Sequence, residues 1–162
     1  GMFDVLAFLE TMNRPFSLVF KQEVKDIILL KQIREALHYI PMDRSDLKQS
    51  MKVILEASNR VKAGENFLIF AEGTRSRNGN ETLPFKAGAF KAATRAKAPI
   101  VPVALLDSYA PFDRSTTEPV TVQIHYMKPM YYEEYAGMKT TEIALEVEKR
   151  IREEIYKHMK AE

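Results

Sequence analysis

The most chemically informative stretch of the sequence is a short loop that combines basic, hydroxyl and glycine residues, Phe70-Ala71-Glu72-Gly73-Thr74-Arg75-Ser76-Arg77. Arginine offers planar, bidentate donors that match a phosphate group, and glycine lets the backbone approach an anion closely. Lys86 and Gly88 follow at the predicted start of a helix, whose first amides would add further donors. The pattern predicts an anion site, with a solvated arginine-rich turn as the alternative.

The elements around this loop indicate an α/β fold. The continuous apolar run at residues 67–70 predicts a strand that is covered on both faces, and α/β proteins bind ligands where such strands end. Apolar runs predict further strands at residues 16–20, 39–42 and 100–106, and a half-exposed edge strand at residues 120–126. Helical spacing predicts helices at residues 3–12, 24–37, 87–97 and 141–159, and one between Asp46 and Gly64. This alternation predicts a largely parallel central sheet flanked by helices.

Composition excludes several classes of protein. With 162 residues, 46% hydrophobic and 28% charged, the chain is expected to form one soluble globular domain over residues 1–162. A net charge of +2 is too small to suggest nucleic-acid binding. The absence of cysteine excludes disulfides and thiol nucleophiles. No apolar run approaches the roughly 18 residues that would predict a membrane-spanning helix.

Several blocks together resemble the glycerolphosphate acyltransferase family, and bacterial 1-acylglycerol-3-phosphate acyltransferases in particular. Residues 70–77 match the family's F-P-E-G-T-R-S-R block, with Ala71 in place of proline. Residues 83–90 match L-P-F-K-x-G-A-F, residues 101–103 match V-P-V, and residues 40–44 match I-x-x-D-R. Residues 20–24 are similar to an upstream K-x-E-L segment. The resemblance covers residues 2 to 130 and implies an acyltransferase-like α/β domain.

The resemblance implies acyl transfer from acyl-CoA or acyl carrier protein to the free hydroxyl of a 1-acylglycerol-3-phosphate, without a cofactor and without an acyl-enzyme. It assigns the acceptor phosphate to Arg44 and Arg75 and the shape of the pocket to Glu72, Gly73 and Thr74. Weaker contributions are expected from Ser76 and Lys86. Glu72 is expected to position the arginines, with a lowered pKa.

The catalytic block of the family, N-H-x-x-x-x-D, is represented only by its end. Asp4 matches the aspartate that orients the histidine, and the histidine itself belongs five positions earlier, outside the 162 residues. In the family that imidazole is the general base for the acceptor hydroxyl. We expect Gly1 to be a tag remnant and the histidine to be lost through a late start codon or a truncated gene, which leaves the chain inactive.

The three histidines of the chain are not expected to replace that base. His38 and Asp43 share the H-x-x-x-x-D spacing, but Pro41 between them prevents a regular helix, and on a strand the two positions point to opposite faces. His125 and His158 are expected to be structural or solvated. No metal-ligand motif and no nucleotide-binding glycine loop is present, so no metal is expected.

A second interpretation is a non-catalytic phospholipid- or phosphate-binding domain that kept the anion pocket and lost the base. In either case the resemblance places the protein at the cytoplasmic face of a membrane, with a lysophospholipid acceptor and an acyl donor as partners. The first helix is apolar around most of its circumference, so one face is expected to lack a cover. We therefore expect self-association through this helix, as a homodimer or as loose aggregation, centred on some of Phe3, Phe8, Leu9 and Met12. The alternative is a monomer in which the helix folds into the core.

Overall fold

The protein is described by a computed structural model that covers residues 2–21, 35, 37–43, 45–113 and 118–159. Its helices are α1 (Met2–Thr11), α2 (Leu47–Lys62), α3 (Lys91–Ala96), α4 (Ala110–Asp113), α5 (Tyr132–Tyr135) and α6 (Thr140–Met159). Its strands are β1 (Phe16–Lys21), β2 (Ile40–Met42), β3 (Asn66–Leu68), β4 (Val103–Leu106) and β5 (Gln123–Tyr126). A 3-10 turn, Ala87–Phe90, leads directly into α3. Most of the helix predicted at residues 24–37 lies outside the described residues.

The strands form two ladders, and they confirm the α/β class. Strand β1 lies in the middle of a parallel sheet of order β2-β1-β3, with Val19 opposite Ile40 and Ser17 opposite Phe67. Strands β4 and β5 form an antiparallel pair, with Ala104 opposite His125. The prediction of parallel strands therefore holds for the sheet formed by β2, β1 and β3. Strand β5, which was predicted as an edge strand, runs antiparallel to β4. All three parallel strands point their carboxyl ends to one edge, where the loop begins.

The longest described helix, α6, packs against elements from the second half of the chain. Its apolar residues recur every three or four positions, so that they share one face, and Ile143, Val147, Ile151 and Ile155 are all buried. They pack in one cluster with Phe90 of the 3-10 turn, Leu106 of β4, Met130 and Tyr135. Met159 continues the same apolar spacing in the sequence but is 54% exposed.

Helix α2 begins and ends as predicted but buries a different face. Asp46 caps it by accepting hydrogen bonds from the amides of Lys48 and Gln49, and Gly64 follows its end with a φ of 97°. The Gln49 side chain, three residues after Asp46, accepts a hydrogen bond from the Asp43 amide. The apolar residues that marked the helix, Leu47, Met51 and Leu55, are exposed, and the buried positions are Val53, Ala57 and Ser58.

Helix α1 is packed against the parallel sheet on one side only. Val5 and Phe8 are buried with Phe16 and Leu18 of β1, whereas Leu6 and Leu9 are 38% and 41% exposed. Phe8 is thus part of the core, so of the four candidate interface residues this one is excluded. Within the described residues no helix combines the length and apolar character that a bilayer crossing requires.

Candidate functional site

The candidate anion loop follows β3, as predicted, and spans residues 69–86. Gly73 adopts a φ of 75°, in the left-handed region that glycine enters at little cost, and its amide donates to the Phe70 carbonyl at 3.2 Å. At the far end the Lys86 amide donates to the Ala71 carbonyl at 2.8 Å. This bond closes the loop and places the backbone of Lys86 beside the start of the predicted phosphate-binding residues.

Glu72 organises the loop in a way that the sequence did not predict. Its carboxylate accepts a hydrogen bond from the Leu83 amide at 2.7 Å rather than from an arginine. Burial is the largest influence on this carboxyl and raises its pKa above 4.5, against the opposing Leu83 hydrogen bond. The expected lowered pKa is therefore wrong, because the side chain is turned inward towards the loop backbone. Glu72 is a positioning residue for the far arm of the loop.

Two residues of α6 hold the same arm and were missed by the sequence analysis. The Glu148 carboxylate accepts from the Phe85 amide at 2.8 Å and pairs with the Arg152 guanidinium at 2.9 Å. Arg152 in turn donates to the Thr82 hydroxyl at 2.9 Å and to the Thr82 carbonyl at 3.0 Å. Their four-residue spacing on α6 was the only signal in the sequence, and it is typical of any helix-surface ion pair.

A second anchor joins the loop to the turn after β4. The Asn80 side chain donates to the Asp107 carboxylate at 3.2 Å and accepts from the Asp107 amide at 2.7 Å. Gly79 adopts a φ of 60°, and a Cβ at this position would lie 3.6 Å from the Tyr109 ring. The loop is therefore fixed at both arms by contacts to other elements, so its polar side chains project from a defined backbone.

The cationic side chains of the site face solvent. Arg75, Arg77 and Lys86 are exposed, as is Thr74. Ser76 is half-buried, and its hydroxyl accepts from the Asn78 amide at 3.2 Å. Among the described residues, none forms an ion pair or hydrogen bond with the Arg75 guanidinium, so its donors are available to an anion. Arg44, the other predicted phosphate ligand, lies outside the described residues.

Asp4 lies in α1, close in the fold to the start of the loop. It is 9% exposed, and it shares a helix face with Phe8, one turn later. The Phe8 ring contacts the Phe70 ring, whose residue opens the loop, at a centroid distance of 6.4 Å. The helix that carries the predicted catalytic aspartate is therefore packed directly on the segment that carries the predicted phosphate ligands.

The structure separates His38 from Asp43. Strand β2 runs between them, His38 is exposed with a φ of 45°, and its carbonyl accepts from Arg60 at 2.8 Å. The Ser45 hydroxyl and the Ser45 amide, the amide at 2.8 Å, donate instead to the Asp43 carboxylate, and these two hydrogen bonds lower the pKa of that carboxyl. His38 therefore does not form the H-x-x-x-x-D pair.

Comparisons with known proteins agree with this geometry. The family model described as Acyltransferase matches residues 1–106. A 1-acyl-sn-glycerol-3-phosphate acyltransferase of Limnanthes douglasii is 35% identical over 116 residues, which cover 69% of this chain and 41% of that protein. A probable 1-acyl-sn-glycerol-3-phosphate acyltransferase of Mycoplasma genitalium is 33% identical over 110 residues, which cover 65% of this chain and 40% of that protein.

The fold is also that of a solved structure. The crystal structure of the 1-acyl-sn-glycerophosphate (LPA) acyltransferase PlsC from Thermotoga maritima superimposes with a TM-score of 0.78 at 20% identity, covering 98% of this chain and 62% of that one. The chain spans about two fifths of the length of the two curated relatives described above. Because the family model covers more than half of its residues and includes both Asp4 and the anion loop, this chain belongs to the acyltransferase family.

Proposed function

We propose that the protein transfers an acyl group to the free hydroxyl of a 1-acylglycerol-3-phosphate, a step of phospholipid biosynthesis. The observation that carries this proposal is the packing of the Asp4 helix on the anion loop through Phe8 and Phe70. It brings a buried carboxylate and an exposed arginine loop to one region of the fold, which is what a phosphorylated acceptor alcohol requires. The names of the two curated relatives support the choice of acceptor.

The chemistry requires a base, an anion site and an acyl donor. The acceptor oxygen attacks the thioester carbonyl, the bond from carbonyl carbon to sulfur breaks, and the hydroxyl proton passes through the base to the departing thiolate. An imidazole oriented by Asp4 suits this transfer, since it titrates near neutrality. Arg75, with Arg44, would hold the acceptor phosphate through bidentate hydrogen bonds, while Glu72, Gly73 and Thr74 shape the loop.

The donor is proposed to be acyl-CoA or acyl carrier protein, with no further cofactor. Acyl chains of donor and acceptor partition into a bilayer, so we place the reaction at the cytoplasmic surface of a membrane. We also propose that two copies associate through α1, now centred on Leu6 and Leu9, because these are the large apolar side chains of the helix that are most exposed.

The experiment that tests this proposal adds the predicted catalytic histidine upstream of Asp4. The 162 residues contain only His38, His125 and His158, none of them near Asp4 in the sequence. A version extended upstream with Asn-His, so that histidine lies five positions before Asp4, should transfer acyl groups to lysophosphatidate from acyl-CoA or acyl carrier protein. The 162-residue chain should be slower by about 10²–10⁴-fold, the usual contribution of a general base.

Two matched variants separate the possible outcomes. Asp4→Asn in the extended chain should remove most of the gain, whereas His38→Ala should leave activity unchanged in both versions. Phosphate binding without turnover in the extended chain would favour the non-catalytic phosphate-binding domain. Full turnover by the 162-residue chain that is lost in His38→Ala would contradict the role proposed for the upstream histidine.

A further inference from the structure

A cluster of three potential metal ligands lies away from the anion loop, where α6 packs on β5. The His125 cluster consists of His125 of β5 with Glu154 and His158 of α6, and its ligand atoms all lie within 4.8 Å of one another. Glu154 Oε1 lies 2.9 Å from His158 Nε2 and 3.8 Å from His125 Nδ1. The three side chains are 22–26% exposed, so the cluster is sheltered but open to a diffusing ion.

The hydrogen bond on the far side of His125 determines which nitrogen faces the cluster. Nε2 lies 3.0 Å from the side-chain oxygen of Gln123. An amide oxygen only accepts, so Nε2 carries the proton and Nδ1 presents a lone pair towards Glu154. Metal-binding histidines are commonly held in this way by a partner on the second nitrogen.

The cluster brings the His125 imidazole and the Glu154 carboxylate, both electron-pair donors, close together with little positive charge between them. The His125 Nδ1 lone pair and the Glu154 carboxylate face each other across 3.8 Å. The nearest described ammonium group, Lys157 Nζ, lies on the other carboxylate oxygen at 3.9 Å. The cluster is also in the last turns of α6, where the partial negative charge of the helix end favours a cation. In the metal-free chain His158 Nε2 donates a hydrogen bond to Glu154 Oε1 at 2.9 Å, so a bound cation would displace that proton and take its place between the two groups.

The distances suit a divalent transition-metal ion. With bonds of 2.0–2.2 Å, two ligands on one tetrahedral ion are separated by about 3.4 Å, between the 2.9 and 3.8 Å found here. The two imidazoles stack with centroids 3.9 Å apart and planes at 24°. Because each lone pair lies in the plane of its ring, one ring must turn about its χ2 angle for both to bind one ion. Water would complete the coordination.

We propose that His125, Glu154 and His158 bind one Zn²⁺-like ion, which clamps the last turns of α6 to strand β5. Two imidazoles and one carboxylate favour Zn²⁺, Ni²⁺ or Cu²⁺ over Mg²⁺ and Ca²⁺, which prefer oxygen ligands. The same helix carries Glu148 and Arg152, which hold the far arm of the anion loop. The ion would therefore stabilise the helix that positions the candidate site, without taking part in acyl transfer.

The test is zinc titration of untagged, chelator-treated 162-residue chain, followed by calorimetry and thermal melting. We expect one Zn²⁺ per chain and a raised melting temperature, with no comparable effect of Mg²⁺. His125→Ala and His158→Ala should each weaken zinc binding by more than 10-fold, and Gln123→Ala, which removes the hydrogen bond on Nε2, by about 10- to 100-fold. His38→Ala, at an exposed histidine outside the cluster, is the control and should bind as the parent does.

Several results would overturn the proposal. They are absence of zinc binding at millimolar concentration, binding that survives His158→Ala, and binding that His38→Ala weakens equally. If His125→Ala fails to fold, His158→Ala still decides the question, because His158 lies in the last turn of α6. Co²⁺ provides an independent readout in the parent chain, since tetrahedral nitrogen and oxygen coordination gives intense visible absorption and octahedral surface binding does not.

Discussion

The ring of Phe8 meets the ring of Phe70 edge-on, with centroids 6.4 Å apart and planes at 78°. The same Phe8 ring also lies edge-on to Phe16 of β1 at 6.3 Å and to Tyr126 of β5 at 6.1 Å. One aromatic side chain thus joins the helix that carries Asp4, both strand ladders and the residue that opens the anion loop. The position of Asp4 relative to the loop depends on this contact.

Phe8→Ala should therefore lower both stability and any activity that depends on Asp4. Removing a buried phenylalanine leaves a cavity, and the expected loss in free energy of unfolding is about 3–5 kcal/mol. Leu9→Ala on the exposed side of α1 is the matched control and should change it by less than about 0.5 kcal/mol. Urea unfolding measures both, and similar losses for the two variants would contradict the packing described for α1.

Self-association through α1 is expected to depend on its exposed leucines. Replacing Leu6 and Leu9 together by lysine should shift the chain to monomer without a large loss of stability, because both side chains are already more than one third exposed. Sedimentation at several concentrations measures this, with Leu145→Lys, at an exposed leucine of α6, as the control. A parent chain that stays monomeric at high concentration would remove the proposal.

Arg75→Ala should abolish binding of phosphate or glycerol 3-phosphate to the anion loop. Arg75→Lys should weaken it, because lysine keeps the charge but loses the bidentate geometry. Arg14→Ala is the control, since Arg14 is also exposed but precedes β1 and so lies near the opposite edge of the parallel sheet. Binding should also fall as salt concentration rises. Equal losses in the Arg14 and Arg75 variants would indicate only a general charge effect.

Arg152→Ala should loosen the far arm of the anion loop. The change removes two hydrogen bonds to Thr82 and the ion pair with Glu148. Because these groups are partly solvated, we expect the Leu83 and Phe85 amides to exchange with solvent roughly tenfold faster, equivalent to about 1.4 kcal/mol. Arg150→Ala removes a similar helix-surface pair with Glu146 and should leave both amides unchanged. Unaltered exchange in Arg152→Ala would show that α6 does not hold the loop.

Glu72 should make stability fall as pH rises through its raised pKa. Because the folded chain binds this proton more tightly than the unfolded chain, the contribution of Glu72 is full below 4.5 and is lost at higher pH. Glu72→Gln keeps an oxygen for the Leu83 amide at every pH. Relative to the parent, the variant should therefore gain stability as the pH rises above 4.5, measured by urea unfolding.

The matched control for this pH series is Glu81→Gln, an exposed position of the same loop. Glu81→Gln removes a negative charge from the loop but keeps the Glu72 carboxyl, so it measures the effect of the charge alone. A variant at Glu72 that loses stability relative to the parent as pH rises would show that this carboxylate is stabilised by the arginines after all.

Much of the fold was predictable from residues close together in the sequence. Asp46 and Gly64 marked the ends of α2 because helix caps are satisfied within one turn. The apolar period of Ile143, Val147 and Ile151 predicted the buried face of α6 because neighbouring turns share a face. The blocks around Glu72 and Arg75 indicated the family, which the family model confirms, because their chemistry is written in consecutive residues.

Long-range packing decided what those patterns left open. Leu47 and Met51 carry a helical period but face solvent, since the sheet meets α2 on the side of Val53 and Ala57. Glu72 was expected beside arginine, yet the path of the loop turns it towards the Leu83 amide, 11 residues later. His125 and His158 had no local signal that connected them, because only the packing of α6 on β5 brings residues 33 positions apart into contact. Local sequence determines which element forms and where it ends, whereas the faces that meet depend on burial across the whole chain.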